Sequence, residues 1–173
     1  LSSDNSLASS WCESSSSYGD GDLGTPGSAN DSCTGLSDLS VGDLVITELM
    51  PDPSKTADYR GEWFEIYNKT SSTINLNGLE IGGAGSDVGE TVSENVYISP
   101  GGYSLFAVRS GSFDNGGMTN VDYKYSYNNM KMFLNGDIVS IGFGGTTFDS
   151  VTYTTTTVGG DYPPAAGQSM SLS

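Results

Sequence analysis

Histidine is missing from the chain, and its 173 residues include two cysteines and six basic side chains. Each shortage excludes something. Without histidine there is no Ser-His-Asp triad, no Cys-His pair and no His-ligated zinc site. Chemistry run by carboxylates alone, such as a glycosidase pair, survives that cut. Six Lys and Arg against 21 Asp and Glu give a formal charge of −15. Such a surface repels nucleic acid and anionic membranes, because phosphate is bound by clusters of Lys and Arg. Long apolar runs are also missing: no stretch approaches the roughly 20 residues needed to cross a membrane as a helix. Neither nucleic acid nor membrane insertion is expected.

The two cysteines, Cys12 and Cys33, form the single intrachain pair available. They would close a loop of roughly twenty residues, worth about 3 kcal/mol in the chain-entropy treatment. Neither lies in a CxxC, so the expectation is a structural disulfide and an oxidising, extracellular or cell-surface location. Two triplets, Asn30-Asp31-Ser32 and Asn68-Lys69-Thr70, are compatible with glycosylation. No signal peptide is visible and the sequence opens at Leu1, which is expected of a processed chain or of an excerpt of a longer one.

Acidic residues are abundant, and two readings stand side by side. One is solubility in salt, with charges screened over roughly 8–10 Å. The other is Ca²⁺, which takes oxygen ligands in irregular geometry. Glu48, Asp52, Asp58, Glu62 and Glu65 lie close in sequence and are the candidate ligands. Asp20-Gly21-Asp22 lacks the spacing of a calcium loop. No cofactor is expected, with Ca²⁺ the one candidate.

The remaining composition is Gly, Ser, Thr, Asn and Asp between short apolar runs, the texture of many strands and turns. Leu44–Met50, Trp63–Asn68, Ser72–Leu79, Leu79–Ile81, Asn95–Ser99, Tyr103–Arg109, Ile138–Phe143 and Phe148–Tyr153 read as strands. Asn135-Gly136-Asp137, after Met132–Leu134, reads as a hairpin turn, and Gly144-Gly145 separates Ile138–Phe143 from Phe148–Tyr153. Alternation assigns Phe64, Ile66, Leu76, Leu105, Val139 and Ile141 to the core. Residues 109–130 read as a long loop, either functional or an ordinary sandwich loop with one edge strand. The fold class is all-β, an antiparallel sandwich of about seven to nine short strands, with a barrel as the competing arrangement.

The two ends of the sequence fit together. Ser169-Met170-Ser171-Leu172-Ser173 followed by Leu1-Ser2 alternates without a break, with Met170, Leu172 and Leu1 on one face. This is the pattern of one half-buried strand supplied by two consecutive copies, as in a head-to-tail array.

Gly42-Asp-Leu-Val-Ile-Thr-Glu-Leu-Met-Pro-Asp-Pro53, then Gly61-Glu-Trp-Phe-Glu-Ile-Tyr-Asn68, resembles the opening of a bacterial-type lamin-tail domain. Ile74–Leu79, Ile98–Leu105, Leu134–Ile141 and Gly167–Leu172 are similar to its later segments. Trp11-Cys12, Tyr18–Gly27 and Asn30–Cys33 resemble the segment that follows the last strand in that family, here placed at the front. The resemblance implies an immunoglobulin-like sandwich and a scaffold or binding role, with no catalytic residue to carry over. It also implies that residue 173 runs on into residue 1 of another copy.

The expected organisation is therefore a disulfide-tied segment 1–35 that completes an adjoining copy, a linker 36–41 and a sandwich 42–173. The expected role is a non-catalytic structural subunit of an extracellular filament or surface array, with copies of itself as partners. The alternatives are a carbohydrate- or calcium-dependent adhesion module, with Trp11, Trp63 and the tyrosines as a sugar-stacking face, and an accessory domain of a secreted hydrolase.

Overall fold

Alternation along a strand sends one set of side chains to the core and the other to water. The computed structural model describes residues 11, 14, 16–30, 34–83, 89–111, 113–134, 136–154 and 166–173. Its strands are β1 (Ser17–Tyr18), β2 (Asp22–Leu23), β3 (Leu44–Met50), β4 (Trp63–Asn68), β5 (Ile74–Asn75), β6 (Glu80–Gly82) and β7 (Glu90–Thr91). They continue as β8 (Tyr97–Ile98), β9 (Tyr103–Ala107), β10 (Tyr123–Lys124), β11 (Gly136–Phe143), β12 (Thr146–Thr154) and β13 (Met170–Ser171). Among the described residues helix is confined to a 3₁₀ turn, Leu36–Asp38, and one α-helical turn, α1 (Asp58–Gly61).

A five-stranded sheet runs β10-β9-β4-β3-β13 and a four-stranded sheet runs β12-β11-β6-β7; β5 pairs with β8, and β1 with β2. The named strands pair antiparallel except β10, which lies parallel to β9. Leu44, Phe64, Ile66 and Phe106 from one sheet and Ile81, Val139, Ile141 and Tyr153 from the other are buried in one core. Phe64 touches Phe106 and Tyr125 at ring separations of 5.2 and 5.8 Å, contacts worth about 0.5–1.5 kcal/mol each beyond area burial.

The expected core residues are buried except one. Leu105 lies opposite Glu65 and is half-buried, while Phe106 lies opposite Phe64 and is fully buried. Both faces of Tyr103–Val108 are apolar, so alternation alone gave no phase; pairing with β4 decides it. Met132–Leu134 forms no strand, so the expected hairpin lacks its first arm; Gly136 N donates to Phe133 O at 3.1 Å, and Asn135 lies outside the described residues. Met132 N donates to Glu62 Oε2 at 3.0 Å, and Phe133 N donates to Asp137 Oδ2 at 3.0 Å. The hairpin lies one strand later, where Gly144 and Gly145 join β11 to β12 with φ of 57° and 84°. Positive φ at both positions is what a two-residue turn of the favoured hand requires. Residues 36–41 are more than a spacer, since Leu36 and Leu39 are buried in the core. The 109–130 stretch supplies the edge strand β10.

Candidate functional site

At one corner of the sandwich β3, β12 and β13 meet around a cleft. Bulges on two edge-facing strands shape it. Thr47 is the extra residue in β3 against β4, and Phe148 the extra residue in β12 against β11. A bulge frees its residue from the ladder and turns it. Phe148 O accepts from Gly42 N at 2.9 Å. The next side chain, Asp149, accepts from Ile46 N at 2.8 Å through Oδ2 and from Ser150 N at 2.8 Å through Oδ1. The outer edge of β3 is thus taken by β12 up to Ile46. Beyond it, β13 takes over: Met170 pairs with Leu49, Ser171 with Glu48, and Leu172 N donates to Thr47 O at 2.8 Å.

Above the Asp149 tie the two sheets part around a cleft of about 210 Å³. Its walls are Ile46–Leu49, Val151–Tyr153 and Met170–Leu172. Period two puts Met170 and Leu172 on the same side of β13. Met170 packs against the core, yet Leu172 remains 66% exposed. Ser173 is exposed; Leu1 and Ser2, the other half of the expected shared strand, lie outside the described residues. So do Cys12 and Cys33, and with them the expected disulfide.

The acidic candidates are dispersed among structural tasks. Glu48 accepts a hydrogen bond from Ser169 Oγ, and Glu65 accepts one from Thr47 Oγ1 at 2.7 Å. Glu62 is 1% exposed and takes the Met132 amide. Asp52 accepts from Gly167 N through its backbone carbonyl. Burial, then the charge of Asp52, raises the Asp58 carboxyl above its ordinary range. Among the described residues no three Asp, Glu, His or Cys side chains gather as a metal site would require.

Asn30 is exposed, while Ser32 of its triplet is not described. Asn68 is 0% exposed, and its amide donates to Ser72 O, Ile98 O and Ser99 O. A glycan on that nitrogen would have to remove the side chain from the core. Trp11 is 63% exposed and Trp63 half-buried on the outer sheet face.

Sequence reasoning missed Asp149 and Glu90. Glu90 accepts from Tyr123 OH and Ser126 N at 2.8 Å each and from Asn129 Nδ2 at 3.1 Å, holding β7 to the β10 segment. No local pattern marks it. Asp149 did have a signal: the core-facing residues Phe148, Val151 and Tyr153 are spaced three and then two apart. A skipped beat in a period-two pattern is the mark of a bulge.

Two packed, largely antiparallel sheets of this kind make the chain an immunoglobulin-like β-sandwich. The family model for the Lamin Tail Domain matches residues 38–155, more than half of the sequence. The chain belongs to that family. Its matched part stops short of β13, and a search of curated proteins finds no match to the chain.

Proposed function

We propose that this chain is a non-catalytic structural unit of an extracellular filament or surface array, joined head-to-tail to copies of itself. One observation carries the reading. The cleft beside β13 leaves Leu172 exposed next to Ile46, Leu49 and Val151. The alternation of Ser169–Ser173 is continued by Leu1-Ser2 of another copy. Burying two leucines there is worth roughly 1.5–3 kcal/mol apiece. The reading holds whether the copies are linked by a peptide bond or only meet in space.

Segment 1–35, held by Cys12–Cys33, completes the adjoining copy. In support, the β1–β2 hairpin exposes Tyr18 by 45% and Leu23 by 61%. A lone two-stranded hairpin is marginal in water, so a partner surface would supply what it lacks. The commitment of Glu48, Glu62 and Glu65 to structural hydrogen bonds supports the non-catalytic part of the reading. Electron microscopy of the purified chain in moderate salt tests it. Regular fibres or sheets are the expected result; monodisperse particles at all concentrations would overturn it.

A further inference from the structure

Resting on that assembly reading, we infer that the edge of β12 turned away from β11, unpaired at Thr152 among the described residues, is the strand-pairing site that receives the neighbouring copy, and that Asp149 directs the incoming strand to it. The chain beyond Leu172 cannot continue along β3. The next outward donor on that edge, Ile46 N, is held by Asp149 Oδ2 at 2.8 Å, and a carboxylate placed on an edge blocks further pairing. The strand must leave β3 at Thr47, and the cleft is where it leaves.

The far wall of that cleft offers a ladder. Among the described residues β12 is the outermost strand of its sheet, paired with β11 on one side and tied to β3 on the other through Phe148 O and Asp149. Ser150 N donates to Asp149 Oδ1 and so points away from β11. Outward groups recur every second residue in an antiparallel strand. Thr152 therefore presents its N–H and C=O to the cleft that it lines. A strand entering there adds to the sheet through main-chain bonds and lays an apolar side chain over Leu172 and Val151.

The occupant is a second copy of this chain. Self-association of a molecule with charge −15 needs contact segments without carboxylates, since like charges across an interface oppose it. Residues 150–154 and 166–173 carry no charged side chain, and Glu48, the one carboxylate lining the cleft, is engaged by Ser169 Oγ. Serine and leucine alternate in the donor strand, so its apolar set meets the cleft and its serines meet water.

Amide hydrogen exchange on wild-type protein, dispersed and assembled, tests the inference together with Thr152→Pro. Proline removes the Thr152 donor, and an edge strand tolerates it where no ladder bond is lost. The Thr152 amide should exchange fast in dispersed protein and slow by about tenfold or more on assembly, the scale of one added hydrogen bond. Thr152→Pro should keep the thermal transition of the dispersed protein and assemble about tenfold less readily. Assembly of the wild type with an unprotected Thr152 amide would overturn this inference and leave the head-to-tail reading standing. Unimpaired assembly of Thr152→Pro would do the same. If the wild type does not assemble at all, both readings fall. Should the proline variant not fold, the exchange rates of the wild type decide.

Discussion

Asn68 ends β4 where three backbone carbonyls converge, and its amide group serves all of them: Ser72 O at 2.8 Å, Ile98 O at 2.9 Å and Ser99 O at 3.2 Å. Its Oδ1 in turn receives Thr70 N and Thr70 Oγ1. Replacing Asn68 with Asp would set a carboxylate against those carbonyls. Buried unsatisfied groups cost about 1–3 kcal/mol each, so a loss of about 2–4 kcal/mol in chemical denaturation is expected. A change within about 0.5 kcal/mol, the scatter of surface substitutions, would contradict the clamp. Tyr125 is the opposite case. Its ring is fully buried against Phe64, but its hydroxyl has no hydrogen-bond partner among the described residues. Burial, then the nearby Glu62 charge, raises its ionisation well above the ordinary tyrosine value. Tyr125→Phe keeps the packing and removes the orphan hydroxyl. It should leave stability unchanged or raise it by up to about 1 kcal/mol, read by denaturant midpoint.

Tyr123 adds a pH dependence. Burial first, and then its hydrogen bond to Glu90, push its pKa up to about 12 from the ordinary 10.0. The folded state therefore holds this proton more tightly than the unfolded chain does. That stability is present in full below pH 10 and lost as pH rises toward about 12. Alkaline unfolding of the wild type should show a component in that window that Tyr123→Phe lacks. Identical alkaline curves for the two proteins would contradict the assignment.

Among the elements, β3 and β12 matter most, because their bulges both tie the sheets together and hold the cleft open. Asp149→Ala frees the Ile46 amide and should cost about 1–3 kcal/mol, whereas Asp149→Asn keeps an acceptor and should cost less. Equal losses for the two variants would show that the hydrogen bond is not what the position supplies. Both bulges were legible. Core-facing residues run Leu44, Ile46, Leu49 in one strand and Phe148, Val151, Tyr153 in the other, each skipping one beat. Most strands were also readable from alternation and from the Gly144-Gly145 turn. Leu105 was not, because its strand is apolar on both faces and only the partner strand sets the phase. Met132–Leu134 misled as the first arm of a hairpin because Glu62, buried and distant in sequence, captures the Met132 amide. Tertiary hydrogen bonds of that kind leave no local trace. The alternation of Ser169–Ser173 pointed to this corner, but nothing in it foretold that Asp149 would occupy the adjoining edge of β3.

At the scale of the whole molecule, charge sets the conditions for association. No Lys or Arg precedes Lys55, so the N-terminal arm carries only negative charge. Copies brought together through this arm repel one another, and salt shortens that repulsion to roughly 8 Å near physiological strength. Assembly should therefore strengthen as salt is raised, the reverse of a contact built on ion pairs. The most direct measurement is sedimentation velocity of the wild type beside Leu172→Asp, over a range of concentration in moderate salt. Wild-type protein should shift to large species as concentration rises, while Leu172→Asp stays at the size of one copy with its thermal transition unchanged. Identical sedimentation of the two proteins would contradict the account, because the exposed leucine at the cleft would then have no part in joining copies.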